Sequence, residues 1–425
     1  MLEVLFDVTR LLLRGGTGAP TGIDRVTLAY GRWLRSRDDI RLTPVWSLGG
    51  RPATLAEHCL DTLLRVSPSE SVARDDWPRL AAALTAPPTS GTQTLRTRPS
   101  GWPPLGNAGD YLGGCLRALA GWRPKPQPKG AVYLNVSHFG LEQPGLLPRL
   151  TARGARCVVM IHDLIPITHP EFCGPGAAGW HRRRLEATLA HADLVITNSE
   201  TTAEDLRRFA EAEGLRLPSL CVSPLGLEPE FLRPPDGVLK ARPYFVVVGT
   251  IEPRKNLTFL LTLWRRLAEH LGEYCPTLVL VGRRGWENES VIDHLQRSPQ
   301  VRRWVHEVGN LNDENLARLI AGAHALLAPS FTEGFDLPAA EARALGTPVI
   351  ASDIPVHREL ALGAQLIDPL DGRAWLAALV AAAAQPPSPS IGPRFTWPVH
   401  FDRVARALNL EPDERPEQRR GNPQS

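Results

Sequence analysis

Short apolar runs at residues 4–8, 132–134, 157–161, 194–197, 244–249, 278–282 and 323–328 alternate with longer amphipathic stretches. A short strand that is apolar throughout must be covered on both faces, and a parallel neighbour requires a crossover connection between the two strands. The alternation therefore predicts an α/β chain of parallel sheets and crossover helices. The stretch from Arg233 to Pro243, Arg-Pro-Pro-Asp-Gly-Val-Leu-Lys-Ala-Arg-Pro, breaks this pattern with the composition of a linker. With 425 residues, 43% of them hydrophobic, the chain can bury two cores. The expected organisation is one doubly wound, Rossmann-like domain over residues 1–237 and a second over 238–390. Residues 84–110, rich in Pro, Thr, Ser and Gly, read as an irregular insertion in the first domain, and the polar residues 411–425 as a disordered tail.

Composition narrows the function classes. A net charge of +3 is close to balance and argues against a nucleic-acid partner, while leaving open a basic patch at a membrane surface. Six cysteines form no Cys-x-x-Cys pair and no cluster with histidine, so neither a zinc site nor a disulfide framework is expected. Reduced thiols of a cytoplasmic enzyme fit better. The opening Met-Leu-Glu-Val-Leu-Phe-Asp7 is interrupted by acids and lacks a basic leader region, so it reads as a first strand. No uninterrupted apolar stretch approaches membrane-spanning length.

Two glutamates, Glu333 and Glu341, flank a predicted loop-to-helix junction. Pro338 suits the first helical turn, where its missing N–H costs nothing, so Glu333 falls outside the helix and Glu341 about one turn inside. The N–H groups of Gly334, Phe335 and Asp336 would then form an anion site between the carboxylates. Taken alone, such a pair is more often structural than functional, a solvated turn residue and a first-turn glutamate favoured by the helix dipole.

A second signal follows the predicted strand at 244–249. Gly249-Thr-Ile-Glu-Pro253-Arg254-Lys255-Asn256 brings a glycine and two cations to a strand's carboxyl end, where open parallel sheets bind ligands. Such cations would stabilise a departing diphosphate. The segment lacks the second glycine and the hydroxyl of a Walker A loop. Gly15-Gly16-Thr17-Gly18-Ala-Pro-Thr21 fails the dinucleotide fingerprint at Thr21, so an ATPase and a dehydrogenase are both disfavoured. Gly282 and Arg283 end a further strand with a glycine and a cation. Trp286 beside them reads as a packing aromatic. In the first domain the strand at 157–161 runs into His162-Asp163-Leu-Ile-Pro166. The histidine could donate a hydrogen bond to a ligand, with Asp163 orienting it or placing a second substrate. Asn198 and Ser199 serve equally as helix caps.

The string Ser330-Phe-x-Glu333-Gly-Phe-x-Leu-Pro338-x-x-Glu341-Ala, followed by Gly346-Thr-Pro-Val-Ile-Ala-Ser352, closely resembles the retaining glycosyltransferases of glycosyltransferase family 4, which have the GT-B fold. The resemblance implies two doubly wound domains facing a central cleft, and residues 391–410 forming a helix that crosses back to the first domain. It implies transfer of a sugar, with mannose a candidate, from a GDP- or UDP-linked donor to a glycan or lipid-linked acceptor, in cell-surface polysaccharide synthesis. No cofactor and no metal are expected, since cations and N–H groups replace a divalent ion. Glu333, His162, Arg254 and Lys255 would be catalytic. Glu341 would accept from the ribose hydroxyls. Gly249, Gly334, Phe335, Asp336, Gly282, Arg283 and Val308 would complete donor binding, with backbone at Val308-Gly309-Asn310 reading the base. Gly15, Gly16 and Asp163 would face the acceptor. The expected setting is cytoplasmic, at the inner membrane face. The competing readings are a nucleotide-sugar 2-epimerase of the same architecture and a non-catalytic sugar-nucleotide-binding protein.

Overall fold

A computed structural model of the chain describes residues 1–14, 21–64, 75–86, 95–96, 129–239, 241–309, 311–360, 363–385, 392 and 395–410. Gly15, Gly16, Asn310, most of the predicted insertion and the tail at 411–425 lie outside the described residues.

The first sheet contains β1 (Leu2–Asp7), β2 (Ile40–Trp46), β3 (Ala53–Thr54), β4 (Val132–Asn135), β5 (Arg156–Ile161), β6 (Leu194–Thr197) and β7 (Ser219–Val222). Their order is β3-β2-β1-β4-β5-β6-β7, parallel except for the antiparallel β3 at one edge. The second sheet contains β8 (Tyr244–Val248), β9 (Thr277–Val281), β10 (Val305–Val308), β11 (Ala325–Ala328), β12 (Val349–Ser352) and β13 (Gln365–Ile367). Its order, β10-β9-β8-β11-β12-β13, is that of a doubly wound Rossmann sheet. Strand order reverses between β1 and β4 in the first sheet and between β8 and β11 in the second. Crevices for ligands open at the carboxyl ends of such switch points.

Strands hidden from periodicity have identifiable reasons. Pro44 interrupts β2, yet the strand still pairs with β1 along its length, Pro44 opposite Phe6. β10 reads Val-His-Glu-Val, polar in its centre, and is nevertheless buried throughout. Its edge is covered by Leu95 and Arg96: the Glu307 N–H donates to the Leu95 carbonyl at 3.0 Å, and the Leu95 N–H to His306 Nδ1 at 2.9 Å.

Helix Trp397–Leu408 returns to the first sheet. The Leu227 N–H donates to the Phe395 carbonyl, Ser223 Oγ to the His400 carbonyl, and Arg156 Nη2 to the Ala407 carbonyl. Trp33 stacks on Phe401 at 4.6 Å, and Tyr30 Oη meets His400 Nε2 at 2.8 Å. Burial of such aromatics is the main energetic reason a terminal helix stays docked. Among the described residues no helix is long and apolar enough to cross a membrane.

Candidate active site

β8 and β9 end in two glycines that let their backbones converge. A Cβ on Gly282, at φ 155°, would stand 1.9 Å from the Gly249 carbonyl oxygen, so only glycine fits. The chain then makes one tight turn, Pro253–Lys255, closed by Asn256 in the left-handed region with its side chain donating to the Pro369 carbonyl. That turn aims both cations at one carboxylate. Lys255 Nζ lies 2.6 Å from Glu333 Oε1, Arg254 Nη1 pairs with Oε2, and Ser330 Oγ donates to Oε1 at 2.8 Å. Arg254 Nε also pairs with Glu252 at 2.5 Å. Burial opposes ionisation of Glu333, but Arg254 and Lys255 more than offset it and hold the carboxyl well below its ordinary range. Lys255 and Glu333 are both nearly inaccessible, so this is a desolvated charge cluster.

Helix Leu337–Ala344 starts as expected, with Pro338 in its first turn. Asp336 precedes it at φ 62°, its carboxylate meeting His357 Nε2 at 3.0 Å, and Phe335 is buried against Phe395. These anchors hold a loop whose N–H groups at Gly334, Phe335 and Asp336 meet no acceptor among the described residues. Glu341, only 5% exposed, has Arg25 Nη1 of the first domain 3.6 Å from its Oε1. Burial pushes its carboxyl up to about 7; Arg25 opposes this, and Asp313, Glu228 and Asp336 add to it.

Across the cleft, β5 leads directly into His162. Its Nε2 lies 2.8 Å from the Val136 carbonyl, so that nitrogen carries the proton and Nδ1 is bare. The expected donor is therefore an acceptor in its neutral form, which burial favours. Asp163 does not orient the ring either: its Oδ1 accepts from the Ile165 N–H at 3.1 Å and closes the following turn. A histidine that sequence reading overlooked is His138, three residues beyond β4 and at φ 63°. Its Nε2 accepts from the His162 N–H at 3.0 Å, which places the proton on Nδ1. Burial, followed by the neighbouring His162 and His181 rings, drives its pKa well down. The available signal was a histidine just past an apolar strand end, the same placement as His162.

The domains touch where Gly334 meets His162. A Cβ at Gly334 would fall 2.2 Å from the His162 carbonyl oxygen, and Ser199 Oγ stands 2.9 Å from the Gly334 carbonyl. Ser199 also accepts from the Thr202 N–H, so it caps a helix and bridges domains together. In the second domain the Gly282 N–H donates to the Val308 carbonyl, and the Arg283 carbonyl accepts from the Ile251 N–H. Arg284 forms a bidentate pair with Glu307 at 2.6 and 2.8 Å. Trp286 is not core packing: it is 43% exposed and donates from Nε1 to the Phe172 carbonyl of the other domain. Phe172 in turn stacks on Phe331 at 5.1 Å.

Two Rossmann-like domains with their sheet ends turned toward one cleft define a GT-B architecture. Residues 230–372 match the family described as "Glycosyl transferases group 1". The chain is 32% identical over 242 residues to the serotype-specific mannosyltransferase WbdA of Escherichia coli, a stretch covering 53% of this chain and 29% of that protein. It is 30% identical over 232 residues to the O-antigen chain mannosyltransferase B of Escherichia coli, covering 52% and 60% respectively. The chain thus spans between about a third and three fifths of these curated relatives. Among solved structures, HepE of Anabaena in complex with UDP and glucose superposes with a TM-score of 0.61 at 15% identity, over 96% of this chain and 100% of that one. Sucrose-phosphate synthase from Thermosynechococcus elongatus does so with 0.59 at 19%, over 96% and 95%.

Proposed function

We propose that the chain is a retaining glycosyltransferase that moves a sugar, mannose, from a nucleoside-diphosphate donor to a glycan or lipid-linked acceptor in cell-surface polysaccharide synthesis. The observation that carries this reading is the Lys255–Glu333–Arg254 cluster beside the unpartnered N–H groups of Gly334 to Asp336. Fixed cations and N–H dipoles in a desolvated cleft suit the charge that grows on a departing diphosphate. Glu333 suits the positive character of the sugar's anomeric carbon. The bond from that carbon to the diphosphate oxygen breaks. The acceptor hydroxyl forms its bond from the same face, and its proton leaves to the departing phosphate. The mannosyltransferases among the relatives support the choice of sugar and the polysaccharide setting. Metal independence is part of the proposal, with Arg254 and Lys255 in the role a divalent ion would otherwise fill. So is a cytoplasmic location at the inner membrane face.

The test is incubation with a panel of GDP- and UDP-sugars, reading release of nucleoside diphosphate with and without glycan and lipid-linked acceptors. Acceptor-dependent release from a GDP- or UDP-linked hexose, abolished in Lys255→Ala, is the expected result. Release no greater than that of Lys255→Ala with every donor rejects the assignment.

A further inference from the structure

Helix Gly22–Arg35 opens with a capping box in which the Thr21 N–H donates to Asp24 Oδ2 at 2.9 Å. Asp24 turns toward Arg10, at 2.8 Å, and Arg25 points the other way, into the second domain. The two helix starts are packed together: a Cβ on Gly22 would lie 3.5 Å from the Leu337 side chain. Arg25 thereby reaches two acids of the opposite domain, Asp313 and Glu341.

One side of its guanidinium is held. Arg25 Nη2 pairs with Asp313, whose position is set by the Asn312 cap at the start of helix Asp313–Ala321. The other side is not. Arg25 Nη1 is buried without a hydrogen-bond partner among the described residues, and its 3.6 Å separation from Glu341 Oε1 is too long for a hydrogen bond. The Glu341 carboxylate likewise accepts no hydrogen bond among the described residues. Glu228 and Asp336 also act on it, the latter taken up by His357.

An N–H that lacks an acceptor stands beside a carboxylate that lacks donors. Moving them closer would satisfy both, yet the packed helix starts and the Asp313 pair keep them apart. A hydroxyl satisfies both at once, because it donates to the carboxylate while accepting from the guanidinium. A vicinal diol does more, since its second hydroxyl donates to the other carboxylate oxygen.

We propose that Arg25 and Glu341 jointly bind the ribose diol of the donor nucleotide, so that the nucleotide pocket is completed by a side chain from the acceptor-side domain. This rests on the reading of the protein as a nucleotide-sugar transferase with Glu341 at the ribose. It assigns Arg25 a direct part in binding and couples donor affinity to contact between the domains.

The experiment is a binding cycle by titration calorimetry with GDP and UDP and their 2′-deoxy and 3′-deoxy forms, on the full chain and on Arg25→Ala, Arg25→Lys and Glu341→Gln. Removing a hydrogen bond to a charged group should weaken the better-binding ribonucleotide roughly tenfold to a hundredfold in Arg25→Ala. At least one deoxy form should lose a comparable factor on the unaltered protein, yet bind Arg25→Ala as well as the ribonucleotide does. Arg25→Lys keeps the charge but not the fork, and should show the same loss of discrimination if Arg25→Ala proves poorly folded. Equal weakening of ribo and deoxy forms by both Arg25 substitutions would mean a structural role alone and would overturn the proposal. So would unchanged affinity in either well-folded variant. If Glu341→Gln and the deoxy forms weaken binding while the Arg25 variants do not, this proposal alone fails. If the unaltered protein binds neither nucleotide, the proposed function fails with it.

Discussion

Lys255 Nζ stands 2.6 Å from Glu333 Oε1 while Arg254 holds the other oxygen, so residues from the β8 turn and the β11 loop share one buried ionic cluster. In the proposed reaction a diphosphate arriving there would compete with Glu333 for the same cations. That competition would leave the Glu333 charge less compensated as the cations turn to the leaving group.

Replacing Arg254 or Lys255 by Ala should lower turnover roughly a hundredfold to a thousandfold, the usual effect of losing one preorganised electrostatic group. Each change also leaves Glu333 with a single cation in a desolvated site. Turnover at saturating donor is the measurement, and normal rates in both variants reject the leaving-group role.

Activity should persist in EDTA. The cations and the N–H groups at Gly334 to Asp336 supply the charge stabilisation in this scheme. Complete loss that is restored by magnesium or manganese would point to a different phosphate chemistry.

Glu333→Gln and Glu341→Gln should fail in different ways. Glu333→Gln keeps shape but removes the charge beside the developing positive centre, so kcat falls more than donor affinity. Glu341→Gln should chiefly raise the donor KM, because ribose hydroxyls are present equally before and during the reaction. Near-normal kinetics in both would reduce the motif to a helix start with two incidental acids.

Glu341 also predicts a pH dependence of stability. Its folded carboxyl sits at about 7, above its ordinary 4.5, so the folded state holds the proton more tightly than the unfolded chain. Its contribution to stability is therefore full below 4.5 and declines as pH rises through about 7. The decline is on the order of 3 kcal/mol. Thermal melting from pH 4.5 to 8 should show Glu341→Gln with a flatter profile than the unaltered protein and a relative gain at the upper end.

His138→Ala should destabilise the fold by about 1 to 3 kcal/mol, since it strands the buried His162 N–H and places alanine at φ 63°. His138→Asn, which tolerates that backbone conformation, should recover part of the loss. Chemical denaturation of the two variants would show it, and equal stability of both with the unaltered protein would sink the structural account.

All seven predicted apolar runs became strands, because a fully buried parallel strand announces itself locally by its side chains. Glu333 and Glu341 were equally legible, since Pro338 marks a helix start within the segment that carries them. Strand β10 and the tautomer of His138 were not legible. One depends on cover supplied by Leu95 and Arg96, the other on a hydrogen bond from His162 that sets its tautomer. Nor could local pattern tell that His162 spends its ring N–H on Val136. Parallel sheets, a linker and two candidate glutamates follow from the order of residue types along the chain. That Arg25 reaches Asp313, 288 positions away, and stops 3.6 Å short of Glu341 was decided only by tertiary packing. The reason is physical: periodicity and turn chemistry act over a few residues, whereas charge pairing and tautomer choice depend on which groups the closed cleft brings within hydrogen-bond distance.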